Sequence, residues 1–217
     1  MTRIALIHAL SHSVSPVNVA FEYAWPEATI MNLLDDSLSS DLARNNGIAD
    51  PAMHKRFLTL GDYAVSTGAD AILFTCSAFG TCIEGVVKQH PTIPVLKPNE
   101  AMIAQAAAHY RKVGLLASFG PTLQSMPAEF PKHIDLVPGL AEGALDALNR
   151  GDVKTHDAAA VTAAKKLAAE GCEAIALAQF SLARSAPAIA AATDLPVLTT
   201  IDSAIAELKR RLSHRAE

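Results

Sequence analysis

Cysteine, aromatic residues, long apolar runs and basic clusters are all scarce in this chain, and each scarcity excludes something. Three cysteines in 217 residues, an odd and sparse set, exclude a disulfide framework and fit a reducing compartment. The spacing of Cys76, Cys82 and Cys172 matches no zinc pattern. Aromatic residues make up 5%, too few for an all-β sandwich, which leans on aromatic and β-branched side chains. No apolar run approaches the roughly 18 residues of a membrane span. The longest basic run is Lys209-Arg210-Arg211 and the net charge is −4, a poor footprint for a nucleic-acid binder. Neither Gly-x-Gly-x-x-Gly nor a P-loop follows any strand, which disfavours a nucleotide-binding fold. The first residues read as a strand that His8 and Ser11 interrupt, with no small-residue cleavage site after it, so no signal peptide is expected. These absences leave a soluble, cytoplasmic protein whose partner is a small molecule, with homo-oligomerisation open.

Hydrophobic residues amount to 50% and charged ones to 18%, which is a folded chain. Alanine alone contributes 41 residues, favouring close-packed helices. Short uninterrupted apolar runs stand at 3–7, 28–31, 70–74, 93–96, 112–116, 133–137, 173–177 and 195–198. Runs of this kind mark parallel strands buried on both faces. Helix-length segments lie between them, most clearly at 50–67, 99–109, 156–171 and 201–212. Gly68 and Gly171 each stand where a helix ends in a left-handed position. Alternating β and α elements predict a parallel sheet covered by helices.

The order of these pieces repeats. Gly68-Ala-Asp-Ala-Ile-Leu-Phe-Thr-Cys-Ser-Ala-Phe79 aligns without gaps onto Gly171-Cys-Glu-Ala-Ile-Ala-Leu-Ala-Gln-Phe-Ser-Leu182, at an offset of 103. Residues 93–105 align onto 195–207 at an offset of 102, and 3–9 onto 112–118 at 109. Three segments in one order at nearly one spacing predict a duplicated four-stranded unit. The expected fold is α/β, with two pseudo-symmetric domains, each a four-stranded parallel sheet flanked by helices. The expected domains are 1–98 with 201–217, and 99–200, with the active site in the cleft between them.

In open parallel sheets ligands collect beyond the carboxyl ends of the strands. Four such ends are rich in small polar residues: 8–16, 75–80, 118–122 and 179–181. Cys76 is the residue to weigh first. Free cysteine is commonly a packing residue, but Cys76 falls where a strand gives way to a turn entering a helix. A helix N-terminus lowers a thiol's pKa and favours an anion, which makes Cys76 a candidate reactive thiol. Cys82, inside that helix, and Cys172, ahead of its strand, read as packing residues.

A strand ending Ile-Leu-Phe-Thr-Cys76-Ser-Ala-Phe-Gly80, with a symmetry mate about a hundred residues on, resembles the aspartate/glutamate/hydantoin racemase superfamily, with its arylmalonate decarboxylases and maleate isomerases. The likeness spans the whole chain in architecture; at motif level the two strand-end loops carry it. The resemblance implies two similar α/β domains that hold a substrate carboxylate between backbone amides of the two loops, a cysteine on each loop facing the substrate carbon from opposite sides, and no organic cofactor or metal. Inverting a carbon beside a carboxylate needs one group to remove a proton and another to deliver one from the other face. Fixed N–H donors then stabilise the enediolate-like charge.

The sequence departs from that pattern at one place. The first cysteine carries over as Cys76, but the second position is Gln179, and glutamine is no acid or base near neutrality. Chemistry that needs one thiol survives: decarboxylation with protonation from one face, or isomerisation through attack by a thiolate. The resemblance therefore implies a cofactor-independent racemase-, isomerase- or decarboxylase-type enzyme acting on a small carboxylate or related carbon acid, with Cys76 as acid/base or nucleophile. Ser77 and Ala78 on the first loop, and Phe180 and Ser181 on the second, would offer backbone N–H groups to the substrate, with Gln179 as a hydrogen-bonding partner. Ser11, Ser15, Phe119 and Thr122 would line the pocket.

His8 is an alternative base or a hydrogen-bonded structural histidine. His8 and His12 as metal ligands lack a third ligand at a diagnostic spacing, so no metal is expected. Asp36 or Ser37 reads as a helix cap bordering the cleft. Two other readings compete. Cys–His hydrolysis or amide transfer would want a glycine two residues before the nucleophile, where Phe74 stands. A non-catalytic small-carboxylate binding protein would keep the cleft without turnover.

Overall fold

The computed structural model describes residues 1–214, apart from the side chain of His12, whose candidacy as a metal ligand lies outside the described residues. Among the described residues, eight strands and ten α-helices alternate along the chain. The first half runs β1 (Arg3–His8), α1 (Val14–Ala24), β2 (Thr29–Leu34), α2 (Ser37–Arg44), α3 (Pro51–Ser66), β3 (Ala71–Phe74), α4 (Gly80–Gln89) and β4 (Val95–Leu96). The second runs α5 (Glu100–His109), β5 (Lys112–Ala117), α6 (Gly120–Ser125), β6 (Asp135–Leu140), α7 (Ala144–Asn149), α8 (Val153–Ala169), β7 (Ala174–Leu177), α9 (Ala186–Thr193), β8 (Val197–Thr199) and α10 (Thr200–Ser213).

The strands form two separate four-stranded sheets, ordered β2-β1-β3-β4 and β6-β5-β7-β8, with every pairing parallel. The identical order in both halves is the duplication that the repeated segments predict. Contacts divide the chain into two compact units, one of Met1–Ala101 with the stretch from Ala204 onward, the other Met102–Ser203. The chain thus passes from one unit to the other within α5 and returns within α10.

The central strands are the apolar ones. All of β3 and β7 and nearly all of β1 and β5 are buried, whereas the edge strands β2 and β6 are partly open. A strand buried on both faces is apolar along nearly its whole length, which is why its run is continuous. Helices start and stop where local chemistry says. The Asp50 side chain accepts the Met53 N–H at 2.8 Å ahead of Pro51, and Asp152 accepts the Thr155 N–H at 3.1 Å. Gly68 and Gly171, at φ +82° and +81°, carry the left-handed turns after α3 and α8. The cap expected at Asp36 or Ser37 is displaced: Asp35 accepts from the Ser37 N–H and hydroxyl, and the Asp36 side chain makes no cap bond.

The two units fill their interiors differently. In the first, Phe57 packs on Phe74 and Phe79 with ring centroids 5.4 and 4.9 Å apart. In the second, aliphatic side chains and alanines dominate, and Leu167 of α8 sits over Gly114 of β5 and Gly139 of β6. A methyl group on either glycine would come within 3 Å of that leucine. In the first unit, Lys209 of α10 lies over the Trp25 ring, 5.5 Å from its centroid, and donates to the Ala24 carbonyl. No helix among the described residues is long and apolar enough to cross a membrane.

Candidate active site

Sheet order decides which loops share an end of each unit. In the first, β1 and β3 are neighbours, so the turn after β1 and the turn after β3 leave from adjacent carboxyl ends. Cys76 occupies the second of these. It lies two residues beyond β3, with extended backbone, and caps the 3-10 turn Ser77–Phe79 that leads into α4. Cys82 is 1% exposed and Cys172 is 5% exposed, as packing residues should be, whereas Cys76 is half-buried. Of the three thiols, Cys76 is the one open to a ligand.

Its electrostatics reverse one expectation. The turn does contribute: the Ala78 N–H bonds to the Cys76 sulfur and pulls its pKa down. Burial outweighs that and pushes the thiol above its ordinary value. The resting group is therefore S–H and not a thiolate. The apolar walls beside it are Ile7, Leu38, Phe57, Phe74 and Phe79, which line one small depression with Cys76 and His8. The Ala78 N–H that the resemblance offers to a substrate is engaged by the sulfur. Ser77 and Ala78 are both exposed, and so is Ser11 on the turn after β1.

His8 is not a free base. It is fully buried, and burial, opposed by the Asn32 hydrogen bond, lowers its pKa, so the ring is neutral. Its Nε2 lies 2.9 Å from Asn32 Oδ1, and its Nδ1 lies 2.9 Å from both Ser13 Oγ and Thr75 Oγ1. With Nε2–H donating to Asn32, Nδ1 accepts from a hydroxyl. Ser13 in turn donates to the Leu10 carbonyl at 2.7 Å. Sequence reading missed these partners, because Asn32 and Thr75 are distant along the chain and carry no motif.

A second missed network fixes the loop after β2. Arg56 of α3 donates to Asp35 at 2.6 Å and Asp41 at 2.7 Å, and to the Ser37 hydroxyl. Burial works against the Asp35 carboxylate, but the Ser37 and Arg56 bonds hold its pKa below the usual range. The Asp35 N–H donates to the His8 carbonyl at 3.1 Å, so this loop is tied to the end of β1.

In the second unit the residue at the position equivalent to Cys76 is Gln179, which caps the 3-10 stretch Phe180–Ser185 with the same extended backbone. Its Oε1 accepts the Ser118 N–H at 2.7 Å and the Ser118 hydroxyl at 3.1 Å. A backbone N–H only donates, so this contact fixes the amide orientation. Phe180 is buried, Ser181 and Thr122 are half-buried, and Phe119 is exposed at the N-terminus of α6. Ser118 and Phe119 line an open hollow of about 270 Å³ with Gly120, Leu140, Glu142 and Asp146. Ser11 with Cys76, Ser77 and Ala78 thus belong to one unit, and Phe119, Thr122, Gln179, Phe180 and Ser181 to the other. Among the described residues no three His, Cys, Asp or Glu side chains are grouped to hold a metal.

A family model described as Asp/Glu/Hydantoin racemase matches residues 26–208. Among curated proteins, no sequence matches. Solved structures do. An aspartate racemase homologue from Pyrococcus horikoshii OT3 is 15% identical, with TM-score 0.74 over 98% of this chain and 100% of its own. Glutamate racemase from Thermus thermophilus, in complex with β-chloro-D-alanine, is 21% identical, with TM-score 0.71 over 99% and 82%. Unliganded arylmalonate decarboxylase is 15% identical, with TM-score 0.67 over 97% and 92%.

Proposed function

This chain belongs to the Asp/Glu/hydantoin racemase family, and on that premise we propose that Cys76 is the group that exchanges a proton with, or attacks, the substrate carbon. The protein is an enzyme of isomerase or lyase type. The reading assigns it a small carboxylate or related carbon acid, turned over without a cofactor. The carrying observation is the contrast among its thiols: Cys82 and Cys172 are sealed in the core, and Cys76 alone stands half-open at the carboxyl end of a central strand.

The resting protonation state shapes the mechanism. A thiol held above its ordinary pKa by burial begins with its proton in place, so its first act is to give. The partner for such a group is a carbanion or enediolate, as left when a carboxylated carbon loses carbon dioxide. Once the proton has moved to carbon, the sulfur is negative, and the Ala78 N–H already bonded to it stabilises that charge. Solvent then restores the proton. Gln179, in place of a second thiol, offers an amide that binds and does not titrate, in keeping with chemistry run from one face.

Proton NMR in D₂O against malonates, hydantoins, amino acids and maleate tests this. One of these classes is expected to incorporate deuterium at carbon or lose carbon dioxide. The Cys76→Ala variant is expected to be inactive, while Cys82→Ala and Cys172→Ala turn over like the wild type. Equal turnover in Cys76→Ala would sink the assignment, and racemisation of a chiral product would overturn the one-sided chemistry.

A further inference from the structure

Three strand ends of the first unit meet on one imidazole. His8 ends β1, Asn32 lies in β2 and Thr75 follows β3, and the ring touches all three elements as well as Ser13 on the turn after β1. Between β1 and β3 the last sheet-like bond at this end is Thr75 N–H to the Ile7 carbonyl, at 3.0 Å. Beyond it the chain must leave the sheet, and Cys76 is the next residue. Thr75, the residue before Cys76, is gripped by its hydroxyl, which lies 2.9 Å from His8 Nδ1 and 3.1 Å from Ser13 Oγ.

The duplication supplies an internal control. The second sheet has the same strands in the same order and register, so each of the three residues at strand positions has a counterpart. His8 corresponds to Ala117 at the end of β5, Asn32 to Pro138 in β6, and Thr75 to Ala178 after β7. All three counterparts are apolar, and the sheet forms without any hub. The architecture does not need a buried histidine here. The hub stands in the copy that carries the thiol and is missing from the copy that carries Gln179.

We propose that His8 is a positioning residue for Cys76: by holding the Thr75 hydroxyl it keeps the thiol seated against the apolar wall formed by Ile7, Phe57, Phe74 and Phe79. Hydrogen bonds shielded from water are directional and stiff, which a packed leucine of similar volume is not. The same seat keeps water from the sulfur, and the raised pKa of the thiol is its electrostatic consequence. The inference rests on Cys76 being the group that meets substrate, but its test reads the thiol and not turnover, so the two can fail separately.

The test is site-resolved alkylation of the whole chain by iodoacetamide, followed by mass spectrometry across a range of pH. Thr75→Val and His8→Leu remove the hydroxyl and the ring; Thr75→Ser and His8→Asn keep a hydroxyl and an Nδ1-like acceptor. Loss of the grip admits water, so in the first two variants the Cys76 profile is expected to shift to lower pH. Alkylation at neutral pH is expected to rise roughly three-fold or more, because the gain in thiolate fraction outweighs the lower nucleophilicity of a less basic sulfur. The second two are expected to follow the wild type, with Cys82 and Cys172 unlabelled throughout. Profiles of Thr75→Val and His8→Leu that overlay the wild type would overturn the proposal. So would labelling of Cys82 and Cys172 in step with Cys76, because the hub would then hold the fold as a whole.

Discussion

Ser118 presents both its backbone N–H and its hydroxyl to a single oxygen of Gln179, at 2.7 and 3.1 Å. Ser118 is 7% exposed, so its N–H has little access to water as a substitute. Removing the acceptor leaves a buried donor unpaired, at about 1–3 kcal/mol. Gln179→Leu is expected to lose that much stability in urea unfolding, while Gln179→Glu, which keeps an oxygen in place, stays near the wild type at neutral pH. Gln179→Cys, the exchange that would install a second thiol, is expected to be destabilised like the leucine variant. Equal unfolding midpoints for Gln179→Leu and Gln179→Glu would refute this account.

Asp157 of α8 fastens the far end of the turn that Gln179 begins. One of its oxygens accepts from Ser185 Oγ at 2.7 Å, His156 Nδ1 at 3.0 Å and Arg184 Nε at 3.3 Å. Burial opposes the carboxylate's charge, yet these donors hold its pKa below the usual range. Ser185 and His156 are fully buried, so both lose their partner in Asp157→Ala. That variant is expected to cost about 1.5–3 kcal/mol, the range for hydrogen bonds to a charged group. Amide exchange over residues 180–185 should quicken more than exchange in β5; a uniform change would count against a local latch.

Gly114 and Gly139 make the recess that Leu167 fills. A Cβ at Gly114 would stand 2.9 Å from Leu167 Cδ1 and 3.0 Å from Ile175 Cδ1, both in a sealed core. Gly114→Ala is expected to destabilise the protein by about 1–3 kcal/mol through overpacking, despite alanine's lower backbone entropy cost. Gly114→Ala combined with Leu167→Ala is expected to cost less than the sum of the two changes. Strict additivity in denaturant unfolding would show that the two sites do not touch.

Glu207 contributes to the acid limb of stability, as Asp35 and Asp157 also do. Hydrogen bonds from Arg210, working against burial, and then from Arg211 lower its pKa from 4.5 to about 2. A carboxyl depressed in the fold stabilises fully above its unfolded value and loses that contribution as pH falls towards about 2. The pairs are partly exposed, so screening holds the effect to about 1 kcal/mol. Glu207→Gln is expected to flatten the fall in stability over that window and to leave the rest of the pH profile unchanged. An acid limb as steep as that of the wild type would place the titration elsewhere.

The sequence made the buried half of the architecture easy to read and the exposed half hard. Central strands are apolar along their interiors, with Arg3, His8 and Lys112 confined to their ends, so β1, β3, β5 and β7 fall within a residue or two of where the runs place them. The edge strands do not: the runs suggest 28–31 and 133–137, whereas β2 is Thr29–Leu34 and β6 is Asp135–Leu140. Half-open strands need not be apolar throughout, and β6 tolerates Pro138 and Gly139 because it lies at an edge. Helices α1, α6 and α7 went unread, and α8 starts three residues earlier than its periodicity suggests because Asp152 caps it. The position of Cys76 was legible from one strand end, but the sign of its pKa shift was not. The aromatic rings that desolvate it come from α3, β3 and the following turn, and the His8 partners lie 24 and 67 residues away.

The course of the chain through its two units has a consequence for biosynthesis. The unit Met102–Ser203 is continuous, so all of its strands are complete before α10 has been made. The first unit lacks α10 until that stretch has been made, when Ile205 and Leu208 enter its core and Lys209 reaches Trp25. Chains emerging from the ribosome therefore finish the later unit first. The half that bears Cys76 closes only after the other half has been made in full.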